Sequence, residues 1–160
     1  MRKLAALPAK GRLLDVGGGT GRVSSGLRAD VDEIVIADVS MGMLKQSASL
    51  PGLQAVLGYS EALPFPDASF ERVIMVDALH HVSHHADSAR EMFRVLKPGG
   101  LLVIEEPDIR TFGVKLIALA EKMLLMRSHF LTPDEIMKLF SIGEKAIRAE
   151  DGTAWVMVRK

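Results

Sequence analysis

The chain has 160 residues, a formal net charge of +0 and no cysteine. This length suits one domain with a full core, and the balanced charge gives no basic excess of the kind that attracts nucleic acid. Disulfides, thiolate metal sites and cysteine nucleophiles are excluded. The first residues are too short an apolar run for a signal peptide, and charges interrupt the apolar stretch 114–126. We therefore expect one cytoplasmic domain, residues 1–160, with no nucleic-acid or membrane partner.

The first predicted element is a buried strand over residues 13–16 that runs into a glycine-rich loop, residues 17–21. Glycines allow a sharp turn and let a ligand approach the backbone. The dinucleotide fingerprint Gly-x-Gly-x-x-Gly fails because its third glycine falls on Arg22. The spacing that fits is acidic-x-Gly-x-Gly-x-Gly, with Asp15 as the acidic residue. A carboxylate at this place attracts a cation and repels a phosphate.

This pattern resembles the first motif of the class I S-adenosylmethionine (SAM) dependent methyltransferases. The resemblance implies that Asp15 and the glycines Gly17, Gly18 and Gly19 hold the amino-acid end of SAM, which carries an ammonium and a sulfonium. A helix over residues 20–27 is expected next. Thr20 would cap it, and its N-terminus would face the cofactor.

A second buried strand, residues 34–36, leads to Asp38, roughly twenty positions past the first loop. At that distance a nucleotide-binding fold places a carboxylate on ribose hydroxyls, so we predict this role for Asp38. Ser40 is better placed than Asp38 to cap the next helix, residues 41–50. Val39, Ser40 and Met41 would lie along the adenine. A third strand is predicted over residues 53–57.

The segment Glu61-Ala62-Leu63-Pro64-Phe65, followed by Ser69-Phe70-Glu71 and a strand over residues 72–76, carries a second resemblance. It is similar to methyltransferases of the ubiquinone/menaquinone-biosynthesis type. Two prolines and a phenylalanine make a stiff apolar wall that suits a flat adenine ring. Many relatives carry an acidic residue where Tyr59 stands, so the adenine contacts are assigned to Ser60 and Glu61.

The end of the fourth strand is the next candidate part of the site. The resemblance implies that Asp77 and Ala78 lie near the methionine part of SAM, and that His80 and His81 lie near the acceptor. If the acceptor is a hydroxyl, one of these two histidines would be its base. With His84 and His85 they form pairs four residues apart that could bind a metal in a helix. No carboxylate or cysteine lies at a matching interval, so no metal site is expected.

The third resemblance is the string RVLKPGGLLVIEEP, which covers a helix over residues 88–96, capped by Asp87, and a strand over residues 101–104. Glu105, Glu106 and Asp108 follow that strand; they either hold a substrate cation or face water. A helix over residues 111–127 is expected to be core or to cover the substrate. A helix over 133–140, capped by Thr132, and a hairpin of strands 146–148 and 154–158 complete the chain.

These elements predict a Rossmann-like, doubly wound α/β fold with a mostly parallel seven-stranded sheet and a C-terminal antiparallel hairpin. The resemblance implies SAM-dependent methyl transfer to a small-molecule acceptor by in-line attack. The alternatives are a SAM-binding sensor or partner subunit without efficient catalysis, and an oxidoreductase, which Arg22 disfavours. Only about ten residues precede the first strand. The site would therefore be open, completed by a second subunit of a homo-oligomer, or covered by residues 111–127.

Overall fold

The computed structural model describes residues 1–111, 113–115 and 128–160. Within them a seven-stranded sheet is flanked by helices on both faces. The strands are β1 Arg12–Val16, β2 Glu33–Asp38, β3 Leu53–Leu57, β4 Phe70–Val76, β5 Leu96–Pro107, β6 Glu144–Glu150 and β7 Thr153–Arg159. The helices are α1 Arg22–Leu27, α2 Met41–Ala48, α3 His85–Val95 and α4 Pro133–Lys138, with 3-10 turns at Arg28–Asp30 and Leu79–His81.

The strand order β3-β2-β1-β4-β5-β7-β6 confirms the predicted fold class. Strands β1 to β5 are parallel, whereas β7 runs antiparallel to β5 and β6 antiparallel to β7. The chain winds outwards from β1 through β2 to β3, and then from β4 in the other direction. The connections after β1 and β4 therefore diverge, and a crevice forms at the carboxyl ends of these two neighbouring strands.

Two apolar clusters cover the two faces of the sheet. Successive strand residues point to opposite faces, so Leu14 and Val16 belong to one cluster and Leu13 to the other. Helices α3 and α4 contribute to the first cluster, and α1 and α2 to the second. The central strands are buried on both faces, as continuous apolar runs in parallel sheets are.

Strands β3 and β6 form the two edges of the sheet. Strand β6 is exposed along almost its whole length, and only Ile147 is partly covered. Its exposed side chains include Glu144, Lys145, Arg148 and Glu150, so the edge carries charges of both signs.

Two predicted helix caps are confirmed. The Met43 N–H donates to Ser40 Oγ at 3.4 Å at the start of α2. At the start of α4, Thr132 and Glu135 form a reciprocal capping box. Helix α4 ends at Lys138, two residues earlier than predicted, and the hairpin of β6 and β7 turns where expected.

Two other predicted caps are wrong. Helix α1 begins at Arg22, and the residue before it is Gly21 with φ of +78°, so Thr20 lies outside the capping position. The residue before α1 is a glycine in the left-handed conformation. A capping side chain needs a residue with extended backbone at this position, so no side chain caps α1. Helix α3 begins at His85, so Asp87 lies in its first turn and pairs with Arg90 at 2.7 Å.

The fifth strand is longer than its predicted core of residues 101–104. It extends from Leu96 to Pro107, with an irregular register between its pairings to Phe70 and Arg72. Of the helix predicted over 111–127, residues 113–115 are helical and most of the remainder lies outside the described residues. Among the helices that the structure describes, none has the length and apolar character needed to cross a membrane.

Gly21→Ala is expected to destabilise the fold, because an added Cβ would lie 2.9 Å from Leu53 Cδ1 and the backbone φ is positive. We expect a loss of roughly 1–3 kcal/mol in the free energy of unfolding, measured by urea titration. Gly26→Ala, inside α1 with nothing within 4 Å of the added atom, is the control and should gain about 0.5–1 kcal/mol. Equal stabilities of the two variants would contradict this account.

Candidate active site

A cavity of about 570 Å³ opens at the carboxyl ends of the central strands. This volume lies within the range of small-molecule sites, roughly 300–1,000 Å³. The cavity occupies the crevice where the winding direction of the sheet reverses. Its lining residues are Gly17, Ala37, Asp38, Val39, Ser40, Met43, Gly58, Tyr59, Ser60, Glu61, Met75, Asp77, Ala78, His81, Val82 and Ser83.

The charges that line this cavity are mostly negative. Asp38, Glu61 and Asp77 contribute carboxyl groups, and no lysine or arginine is among the lining residues of the described chain. His81 is the one lining side chain there that gains positive charge on protonation. A wall of this kind attracts a cation and repels a pyrophosphate.

Asp15 lies beneath the glycine loop and does not line the cavity. Its carboxyl group is buried, and its Oδ2 accepts a hydrogen bond from Ser24 Oγ at 2.6 Å. Its Oδ1 accepts no hydrogen bond from any residue that the structure describes. Burial raises the pKa of Asp15 to about 7, against the lowering effect of the Ser24 hydrogen bond. A cation bound above the loop would favour the charged form of this carboxyl.

Asp38 connects the glycine loop to α2. Its Oδ2 accepts a hydrogen bond from the Gly19 N–H at 2.9 Å, and its Oδ1 accepts one from the Ser40 N–H at 2.8 Å. The side chain is almost buried but still lines the cavity. Because each carboxylate oxygen can accept a second hydrogen bond, Asp38 keeps capacity for hydroxyl groups that enter the cavity.

The loops after β1 and β4 touch at Gly17 and Ala78. Gly17 has φ of +72°, and a Cβ on it would lie 2.7 Å from the Ala78 Cβ. The preceding residue of the second loop, Asp77, has φ of +50°, which is strained for a non-glycine residue. The Asp77 carboxyl lies 3.8 Å from Arg22 Nη2, and burial together with the nearby Glu105 raises its pKa.

His80 and His81 occupy different environments. His80 is buried, with its Nδ1 2.5 Å from Glu106 Oε2 and its ring stacked on Phe130 at 4.6 Å between centroids. His81 lines the cavity, and its ring lies 4.0 Å from the His80 ring. The structure therefore places His81 at the cavity wall and His80 behind it.

Two further histidines, His84 and His85, lie at the start of α3. His84 is exposed, and His85 Nε2 lies 3.1 Å from the Leu79 carbonyl oxygen. Burial lowers the pKa of His85. The described ranges contain no group of three or more histidine or acidic side chains arranged to hold a metal.

Most of the predicted site residues line the cavity; these are Gly17, Asp38, Val39, Ser40, Ser60, Glu61, Asp77, Ala78 and His81. The others do not. Asp15 and His80 are buried behind the wall, Gly18 and Gly19 form the loop above Asp15, and Met41 is exposed on α2.

Several lining residues escaped prediction. Met43 takes the place expected for Met41, with its sulfur 3.2 Å from the position of a Cβ on Gly19. Tyr59 and Val82 line the cavity from loops whose direction depends on tertiary contacts. Glu106 was one of three equivalent carboxylates in the sequence, and only the fold shows that it meets His80.

The cavity fits SAM. Its acidic lining suits the positive sulfonium and ammonium groups, and Asp15 keeps one unpartnered oxygen among the described contacts beneath the glycine loop. The exposed apolar side chains Val39, Met43 and Tyr59 at the mouth offer a surface for a flat base.

Comparisons with known proteins agree with this chemistry. Residues 14–104 match the family described as Methyltransferase domain. The chain is 35% identical over 136 residues to the ubiquinone/menaquinone biosynthesis C-methyltransferase UbiE of Stutzerimonas stutzeri, covering 77% of this chain and 53% of that protein. The chain belongs to the class I SAM-dependent methyltransferases.

A second relative of this methyltransferase is the demethylmenaquinone methyltransferase of Renibacterium salmoninarum. It is 41% identical over 112 residues, which cover 69% of this chain and 46% of that protein. The chain thus spans about half the length of the curated relatives it matches. Membership in the family makes SAM the cofactor of this methyltransferase.

Solved structures show the same fold. The YcgJ protein of Bacillus subtilis superposes with a TM-score of 0.78 at 25% identity, over 91% of this chain and 66% of that one. A SAM-dependent methyltransferase of Thermotoga maritima superposes with a TM-score of 0.83 at 23% identity, over 95% and 83%. The methyltransferase therefore shares its overall fold with proteins that differ from it at most positions.

Asp15→Asn is expected to stabilise this methyltransferase more at alkaline than at acidic pH. The folded protein holds the Asp15 proton up to a pKa of about 7, whereas the unfolded chain releases it near 3.8. Ionisation of Asp15 therefore lowers the free energy of unfolding. The loss grows as the pH rises through this window and reaches its full size above pH 7. The gain of the asparagine variant at pH 8 should exceed that at pH 5.5 by about 2 kcal/mol in urea unfolding.

Asp151→Asn, in the exposed turn between β6 and β7, controls for the general effect of this substitution. A gain from Asp15→Asn that is the same at both pH values would show that burial does not hold the Asp15 proton.

Proposed function

We propose that this chain transfers the methyl group of SAM to a small-molecule acceptor. The observation that carries the proposal is the acidic cavity at the crevice between β1 and β4. One side of it is formed by the glycine loop and Asp38, and the other by the turn that bears His81. A cationic cofactor on the first side and an acceptor on the second would meet within one cavity.

The cofactor is proposed to lie along the ends of β1, β2 and β4. Asp38 accepts hydrogen bonds from the ribose hydroxyls with the lone pairs that Gly19 and Ser40 leave available. The methionine end lies at the contact of Gly17 with Ala78, above Asp15, where the Asp77 carboxyl faces the ammonium.

The adenine is proposed to lie at the mouth of the cavity. Val39 and Met43 cover one side of the space, and Tyr59 is exposed beside it. Ser60 and Glu61 supply polar groups there, and the Ser60 Oγ donates to Glu61 Oε2 at 3.0 Å. This arrangement gives an apolar platform with a polar edge, which matches a purine ring.

SAM supplies a methyl group already activated by the positive sulfur. The task of the protein is then to align the acceptor behind that methyl group and to exclude water. His81 is the proposed base for an acceptor that carries an acidic proton, because it reaches the cavity and histidine titrates near neutral pH. His80, which was predicted for the same role, is buried behind His81 and supports its ring.

The acceptor is proposed to be neutral and partly apolar. Three carboxyl groups in the wall disfavour an anionic acceptor, and Met75, Ala78 and Val82 make the inner part of the lining apolar. The relatives named for ubiquinone and menaquinone biosynthesis make a reduced demethylmenaquinone analogue the first acceptor to test. The cytoplasmic location and the homo-oligomer stay predictions.

Binding of SAM and its spent form, S-adenosylhomocysteine, is expected by calorimetry, with no binding of NAD. Asp38→Ala should weaken SAM binding roughly 10- to 100-fold, because charge-assisted hydrogen bonds to the ribose are lost. Asp67→Ala, which removes an exposed carboxyl outside the cavity, should leave the affinity unchanged. If the unchanged protein has no measurable affinity for SAM, the proposed function is wrong.

His81→Ala is expected to lower kcat by about 100-fold or more with a hydroxyl-bearing acceptor, because the proton of the acceptor loses its base. The affinity for S-adenosylhomocysteine should stay the same. His84→Ala, which removes an exposed histidine outside the cavity, is the control. Turnover that persists unchanged in His81→Ala would eliminate the base, and SAM binding without transfer to any acceptor would favour a sensor or partner subunit.

A further inference from the structure

We propose that Glu106 is a positioning residue that sets the place of His81 in the cavity through His80 and the backbone of the turn Leu79–His81. The inference rests on the proposed function, since it concerns the acceptor side of the same cavity. Glu106 itself does not line the cavity. It contacts the turn, and its charge also contributes to the raised pKa of the cavity residue Asp77.

Glu106 forms hydrogen bonds with three consecutive residues, the capping residue Ala78 and the turn residues Leu79 and His80. Its Oε1 accepts from the Ala78 N–H at 2.9 Å and from the Leu79 N–H at 2.6 Å. Its Oε2 lies 2.5 Å from His80 Nδ1. Glu106 and His80 are only 3% and 7% exposed, so both are shielded from water. A carboxylate that is buried in this way needs all of these donors.

The first N–H groups of a helical turn have no partner within the turn. Ala78, at the capping position, has no side chain that could accept a hydrogen bond. Glu106 supplies the missing acceptor from the neighbouring strand β5. The position of the turn is therefore determined by a residue that lies 26 to 28 positions further along the chain.

The strand that carries Glu106 is held on both sides. Glu105 pairs with Val76 of β4, and Glu106 pairs with Ala154 of β7. The Asp77 N–H continues the ladder by donating to the Glu105 carbonyl oxygen at 2.9 Å. Because β5 is hydrogen-bonded to a strand on each side, the backbone that carries the Glu106 side chain is held in place.

His80 transmits this position to His81. The His80 ring stacks on Phe130 with an interplanar angle of 7°, and the His81 ring lies against it at 52°. The His80 carbonyl oxygen also accepts from the His129 N–H at 2.7 Å. A movement of the Glu106 carboxylate would thus shift the surface on which the His81 ring rests.

One hydrogen lies between His80 Nδ1 and Glu106 Oε2. With Glu106 as a carboxylate, which only accepts hydrogen bonds, that hydrogen belongs to His80 Nδ1. In Glu106→Gln, the amide oxygen can still accept from the two backbone N–H groups, and its NH₂ group then faces His80 Nδ1. His80 must therefore become the acceptor at Nδ1 and carry its hydrogen on Nε2. This substitution preserves the shape of the side chain and changes the orientation of the hydrogen bond.

The test compares Glu106→Gln and Glu106→Ala with the unchanged protein and with Glu71→Gln. Glu71 is a partly buried glutamate that accepts from the Arg12 N–H at 2.6 Å and pairs with Lys97, at the opposite end of β4. It therefore controls for the loss of a structural carboxylate. The readouts are the Kd for S-adenosylhomocysteine, kcat and KM with the acceptor, and the ring ¹³C and ¹⁵N NMR signals of His80 and His81.

We expect Glu106→Gln to convert His80 from the Nδ1–H to the Nε2–H form and to shift the His81 ring signals. Its kcat should fall about tenfold while the Kd for S-adenosylhomocysteine changes less than about twofold, because misplacement affects the acceptor side. Glu106→Ala should lower kcat further. Glu71→Gln should leave the kcat, the Kd and both histidine signals as they are in the unchanged protein.

Unchanged kcat in Glu106→Gln, or an equal loss in Glu71→Gln, would overturn the inference. If no tested acceptor is methylated, unshifted His81 signals in Glu106→Gln would overturn it in the same way. Failure of the unchanged protein to bind SAM is a different result, because it removes the proposed function itself. Normal binding and turnover with no effect of Glu106→Gln would remove only the role of Glu106.

Discussion

The contact between Gly17 and Ala78 is the constraint on which the site depends. Strands β1 and β4 are neighbours, and their loops leave the sheet in different directions, yet the two loops meet with no room for a Cβ at position 17. The cavity forms around this contact. Asp38 holds the glycine loop on one side, and Glu106 holds the turn after β4 on the other. Both sides of the site are thus fixed by carboxylates that accept backbone N–H groups.

The carboxyl groups around the cavity differ in how far the fold stabilises their charged forms. Asp38 accepts two backbone hydrogen bonds, whereas Asp15 has a single hydroxyl partner among the described residues and a pKa raised to about 7 by burial. Asp77, whose side chain is about half exposed, combines a raised pKa with a strained backbone. A cationic ligand would relieve the cost of ionising Asp15, so binding and folding stability are linked at this position.

The sequence was sufficient to predict the strands, the sheet and most of the cavity wall. Apolar runs that end in glycine or acidic residues identify parallel strands and the edge where ligands bind, so Asp38 and Ala78 could be placed before the fold was known. The caps predicted at Thr20 and Asp87 were wrong because the backbone of the adjoining turns, and not the capping preference of these residues, determines where the helices begin. The separate surroundings of His80 and His81 were beyond prediction, since they depend on a glutamate from another strand. No local pattern distinguishes Glu106 from Glu105.

The exposed strand β6 has a consequence for the behaviour of the protein at high concentration. Its outer edge, with which no strand of the described residues pairs, presents backbone donors and acceptors that could template a strand from another molecule. Glu144, Lys145, Arg148 and Glu150 would have to lose hydration for such pairing to occur. Their charges oppose open-ended growth of the sheet and so protect a mostly apolar, parallel core from aggregation through this edge.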